Sequence, residues 1–133
     1  THSGRFTTPF LFGMGMFDAI DLATLEDLAD PNDTDGDGIS GRVGRDGASN
    51  PARFGRKANT ASLADFTDEA FRMEMGLTTP DHSNESDAGD VPATGLPIVA
   101  ASTPEIDAAT FAATVDFVRF LAPPERATPQ DTA

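Results

Sequence analysis

The stretch Asp30-Pro31-Asn32-Asp33-Thr34-Asp35-Gly36-Asp37-Gly38-Ile39-Ser40-Gly41-Arg42 sets four aspartates and one asparagine within eight residues, then turns to glycines. Carboxylates at this density repel one another unless a cation sits among them. Asp33, Asp35 and Asp37 alternate and Gly38 follows at once, which is the first half of an Asp-x-Asp-x-Asp-Gly calcium loop. Alternate carboxylates can turn inward as the chain curls round an ion, and glycine permits the sharp bend. Calcium takes hard oxygen ligands, which Asp, Asn and backbone carbonyls supply; zinc would need His or Cys. The second half departs from an EF-hand. With Asp33 as position one, Gly38 falls at six as required, but Ile39 falls at seven and Gly44 occupies twelve, where the bidentate glutamate belongs. The loop is therefore closer to the shorter Asp-rich calcium turns. Asp33, Asp35 and Asp37 are its first candidate ligands and the Ile39 carbonyl is next. Asp30, Asn32, Asp46 or water would complete the shell. The alternative is a solvated acidic turn that holds no metal.

Outward from this loop, residues 18–29 read as a short helix. Asp18 or Asp21 would cap it, and Ile20, Leu22, Leu25, Leu28 and Ala29 give it one apolar side. Its C-terminus would lie beside the loop, where the negative end of the helix dipole favours a cation. Residues 5–17 are apolar and aromatic but punctuated, with Pro9 favouring an extended start. Gly13 and Gly15 flank Met14 and allow a close backbone approach. After the loop, Arg45, Arg53, Arg56 and Lys57 join Arg5 and Arg42 to make six of the nine basic residues. They would salt-bridge to an acidic protein or clamp an anion.

Residues 62–75 read as a second helix. Ser62 and Asp65 resemble a capping box, Leu63, Phe66, Ala70, Met73 and Leu77 form a core stripe with Phe71 and Met75 beside it, and Gly76 sits at C′. The methionines read as core packing. Residues 78–104 read as a long polar loop with a second weak cation contact through Asp81, Glu85, Asp87 and Asp90. His82 and His2 read as incidental histidines. The third helix, 107–121, begins at Asp107, carries Phe111, Val115, Val118 and Ala122 at helical spacing, and stops at Pro123-Pro124. The fold class is thus mainly α with long irregular loops, about three helices (near 18–29, 62–75 and 107–121), and little or no β-sheet. One domain spans 1–126, and 127–133 is a polar tail.

Composition narrows the function classes. The 133 residues carry a net charge of −13 with a single lysine, Lys57, which argues against nucleic acid and anionic membrane surfaces as partners. There is no cysteine, so no disulfide framework, no thiolate nucleophile and no covalent c-type haem is possible within this chain. No apolar run approaches the length of a membrane span.

The order of the pieces carries a resemblance. Arg5, Pro9 and Gly13-Met14-Gly15 precede Leu28-Ala29-Asp30-Pro31. Asp35-Gly36-Asp37-Gly38-Ile39-Ser40-Gly41-Arg42 and Arg53-Phe54-Gly55-Arg56-Lys57-Ala58 follow. Ala70-Phe71, Met75-Gly76-Leu77-Thr78 and Phe120-Leu121-Ala122-Pro123-Pro124-Glu125-Arg126 complete the series. In this order, over Arg5 to Arg126, the chain resembles the segment between the two haem-binding regions of the di-haem cytochrome c family labelled "probable thiol oxidoreductase", relatives of the bacterial di-haem peroxidases. Both Cys-x-x-Cys-His sites of that family are absent. Arg56 replaces an aromatic residue of its second block, and the cysteine that often follows its Met-Gly-hydrophobic-Thr block is missing.

The resemblance implies a structural calcium site in the Asp block and a periplasmic or otherwise extracytoplasmic address; it does not transfer a redox activity. The expected function is a non-catalytic, calcium-stabilised accessory subunit. It would dock on a protein partner, such as a larger periplasmic electron-transfer or membrane complex, through the Gly-Met-Gly segment or the basic cluster. The alternative is a haem-free fragment of a di-haem peroxidase-like enzyme. No catalytic constellation is evident, and the acidic residues cluster in turns without a nucleophile–base pair, which leaves a carboxylate-based hydrolase poorly supported.

Overall fold

The computed structural model describes residues 10–84 and 104–125. The sequence expectations for Arg5, Pro9, His2, the 85–103 part of the long loop and the 126–133 tail fall outside them. The element order is α1 (Met14–Asp18), α2 (Leu22–Asp27), β1 (Gly44–Arg45), β2 (Pro51–Ala52), α3 (Leu63–Glu69) running into a π-helical turn (Ala70–Glu74), and α4 (Ala108–Phe120). The fold is mainly helical with irregular connections, as the sequence indicates, and among the described residues its sheet is one antiparallel pair in which Gly44 faces Ala52 and Arg45 faces Pro51.

The helix expected over 18–29 is shorter, Leu22–Asp27, with Asp18 instead ending α1. Arg53 braces the stretch between α1 and α2: its Nη1 donates to the carbonyls of Phe17 at 2.7 Å and Ile20 at 2.5 Å. Asp21 then restarts the helix, in extended geometry with its carboxylate accepting from Ala23 N–H. The apolar side expected here is largely in solvent, with Leu28 75% exposed and no residue of α2 buried. The segment before it, expected to be irregular, forms α1 from Met14.

α3 opens as the sequence indicates. The Ser62 hydroxyl accepts from Asp65 N–H at 3.0 Å and donates to the Asp65 carboxylate at 2.6 Å, and Gly76 closes the unit at φ +69°. The expectation that Met73 and Met75 pack in the core is wrong: they are 58% and 63% exposed. The π-helical turn bonds i to i+5, so each residue beyond Ala70 drifts off the stripe that Leu63 and Phe66 begin. α4 bears out the centre of its expected stripe, with Asp107 accepting from Thr110 N–H at 2.7 Å and Val115 and Val118 buried, while Phe111 is half-buried and Ala122 lies exposed beyond the helix end.

The core is small. Phe54, Leu63 and Val118 form its centre, with Met14 and Phe66 packed against it. Gly15 permits α1 to lie directly on α4, since a Cβ there would sit 1.9 Å from the Arg119 carbonyl oxygen. The close approach expected of the Gly-Met-Gly segment is therefore spent inside the molecule. Gly13 N–H also donates to the Leu121 carbonyl at 2.9 Å. The apolar side chains that remain exposed around this seam are mostly aromatic, Phe10, Phe12, Phe17, Phe117 and Phe120, joined by Leu11 and Met16.

Candidate functional site

The Asp-rich loop winds on its own hydrogen bonds. Asp30 anchors its start: its carboxylate accepts from Thr34 N–H at 2.7 Å, from the Thr34 hydroxyl at 2.9 Å and from Asp35 N–H at 3.3 Å. Asp33 spans the turn by accepting from Gly38 N–H at 3.0 Å. Its backbone is left-handed at φ +53°, a conformation aspartate tolerates better than most residues, and Gly38 at φ +87° completes the reversal. Arg42 ties the two ends together, donating to the carbonyls of Pro31 at 3.0 Å and Ser40 at 3.4 Å. The guanidinium thus braces the loop through carbonyls.

Oxygens of Asp30, Asp33 and Asp35 lie within 4.8 Å of one another, and among the described residues this is the one such group of three possible metal-ligating side chains. Asp37, put first with Asp33 and Asp35 by the sequence pattern, is not in this trio. One of its oxygens accepts from Ile39 N–H at 2.7 Å. Asn32 and Ile39 are exposed members of the loop. Asp46 is committed elsewhere: its carboxylate accepts from Ala48 N–H, Asn50 N–H and the Asn50 amide, building the β1–β2 turn. Three hard carboxylates converging on one point fit a hard cation of calcium's type.

The electrostatics favour the ionised form at the anchor. The Thr34 N–H, with smaller contributions from the Thr34 hydroxyl and Asp35 N–H, outweighs slight desolvation and holds the Asp30 carboxyl below its ordinary value. Two arginines of the basic stretch are engaged away from the trio. Arg45 pairs with Glu26 at 3.0 Å, half-exposed on both sides, and Arg53 serves α1.

A second polar centre was missed by sequence reasoning. Asp68, on α3, is 5% exposed. It accepts from Arg72 Nε at 2.8 Å and from the Thr79 hydroxyl, and His82 Nδ1 stands 3.0 Å away. Burial alone would raise its carboxyl, but the bonds from Thr79, Arg72 and His82 prevail and hold it below the ordinary value. Thr78, fully buried, donates to the Glu105 carboxylate from both N–H and hydroxyl. Residues 77–82 are therefore pinned between α3 and the start of α4, and His82 is not incidental. The available signal was the i, i+4 spacing of Asp68 and Arg72.

A helical, loop-rich unit with an acidic turn beside its first helices and no thiol anywhere defines the class: a cysteine-free helical module with a candidate cation loop. The family whose model describes "Di-haem oxidoreductase, putative peroxidase" matches residues 2–114, so the chain belongs to the di-haem oxidoreductase family. Comparison with curated proteins and with solved structures finds no match. Family membership implies haem, and the residues here do not fit its covalent attachment. No cysteine is present to form a thioether, and the Nδ1 of His82 is buried against Asp68. Among the described residues no helix is long and apolar enough to cross a membrane.

Proposed function

We propose that the chain is a non-catalytic, calcium-stabilised, extracytoplasmic module that docks on a larger electron-transfer complex. The observation that carries this reading is the convergence of Asp30, Asp33 and Asp35 within 4.8 Å on a loop braced by Arg42. A cation there would relieve carboxylate repulsion and tie α2 to the segment leading into β1. The small core supports the same reading, because a domain with little buried apolar surface gains from a metal staple. Family membership supports the electron-transfer context and the extracytoplasmic address. The exposed aromatics of α1 and α4 are the surface left for a partner.

Family membership also favours a second reading, in which these residues are a haem-free portion of a di-haem peroxidase-like enzyme. Calorimetric titration with calcium and then magnesium tests the first. Saturable calcium binding with little response to magnesium is expected; no heat with calcium would refute it. Intact mass and visible absorbance of the natively produced protein separate the two readings. A mass near 13.9 kDa without a Soret band removes the second.

A further inference from the structure

α4 is apolar on both sides. Val115 and Val118 are buried. On the other side Ala109, Ala112, Ala113, Phe117 and Phe120 are exposed, and steps of three and four residues join them into one face. Phe117 and Phe120 are 64% and 78% exposed. A helix that is hydrophobic all round belongs in an interior, so this face is shaped to be covered. The alanines give it a shallow floor and the two rings raise its C-terminal end, relief that a second helix fills by laying its ridges into the grooves. α1 packs to one side of it, at the Arg119 backbone.

Charge selects the occupant. Within Ala108–Phe120 the charged residues are Asp116 and Arg119 alone. Arg119 is engaged from two sides, by Asp116 at 2.7 Å and by Asp18 of α1 at 3.6 Å. Asp107 at the start of α4 and Glu125 beyond its end are exposed. The face is thus an apolar strip bordered by carboxylates, and its complement has an apolar side with basic flanks. A second copy of this chain would bring the same acidic border and the same net charge of −13, and an anionic lipid surface would be repelled likewise.

We propose that the exposed face of α4 seats an amphipathic helix of a protein partner, with aliphatic side chains against Phe117 and Phe120 and lysine or arginine along its flanks. This rests on the docking reading above and names the chemistry of the partner; it does not depend on a cation in the Asp-rich loop.

The chain has neither tryptophan nor tyrosine, so the emission of a tryptophan-bearing peptide reports binding. The probe is a synthetic helical peptide with leucines and one tryptophan on one side and lysines on the other. A saturable one-to-one blue shift is expected, at least about tenfold weaker with the double variant Phe117→Ala and Phe120→Ala and unchanged with Asp35→Ala. Equal affinity for the double variant, or binding lost with Asp35→Ala, would overturn the proposal. If the double variant does not fold, Ala113→Lys, at an exposed helix position that lysine suits, should give the same loss, and unchanged binding overturns the proposal. The matched peptide with glutamates for lysines should not bind. If it binds and loses binding with the double variant, the basic partner is overturned and docking at this face stands; if neither peptide binds, docking at this face is overturned too. A dimer in sedimentation velocity that Ala113→Lys dissolves, or adsorption to phosphatidylcholine vesicles that the double variant loses, would assign the face to another occupant and overturn the proposal.

Discussion

Asp30 and Asp35 stand in different positions within one loop. Asp30 is already engaged by Thr34 and Asp35 and shapes the turn whether or not a cation is present. The Asp35 carboxylate accepts one longer bond, from Asp37 N–H at 3.2 Å, and is exposed, so its loss should fall mainly on the cation. Asp35→Ala is expected to weaken calcium binding and loosen residues 30–58 while leaving α4 formed; calorimetry and hydrogen exchange check this, and equal calcium affinity refutes the ligand assignment. Asp68 carries a different prediction. Removing one member of a buried charge cluster costs about 3 kcal/mol, so Asp68→Ala should lose that much by urea unfolding at neutral pH. The sign with pH follows from its lowered carboxyl: stability is present above the unfolded value of about 3.9 and is lost as pH falls through the lower folded value. The gap between wild type and variant should thus hold from neutrality to about pH 5 and narrow only in stronger acid. A gap unchanged at about pH 2 would contradict it. Asp33 and Asp35 were legible from sequence because their alternation carries its own geometry. Asp68 was not, because its partners Thr79 and His82 are local only in three dimensions.

At the scale of elements, legibility follows whether a signal is local. The Ser62–Asp65 cap and the Val115–Val118 stripe depend on neighbours within a turn, and both are found where the spacing puts them. The stretch between α1 and α2 is braced by Arg53, more than thirty residues along the chain, and the π-helical turn after α3 has no pattern of its own in the sequence. Phe54 was likewise read only as part of a basic stretch, although it is the centre of the core at 2% exposure. Two substitutions test these elements. Ser62→Ala should cost about 1 kcal/mol through the lost cap, read from chemical denaturation. Gly15→Ala should cost at least about 2 kcal/mol, because a Cβ would strike the Arg119 backbone and force α1 off α4. A neutral result would mean that the two helices do not meet as described.

For the molecule as a whole, a formal charge of −13 opposes compactness, and among the described residues few apolar side chains are buried. A doubly charged cation offsets only part of that repulsion, but it does so where four aspartates crowd into eight residues. The proposed reading of this member of the di-haem oxidoreductase family rests on the acidic loop. The most direct test is the melting temperature with the protein first stripped by chelator and then saturated with calcium. At about a hundredfold excess over the dissociation constant, linkage gives about 2.7 kcal/mol, which for a domain of this size is a rise of about 5–10 °C. A calcium-stabilised module predicts that rise and its loss in Asp35→Ala; melting curves that superimpose with and without calcium would contradict it.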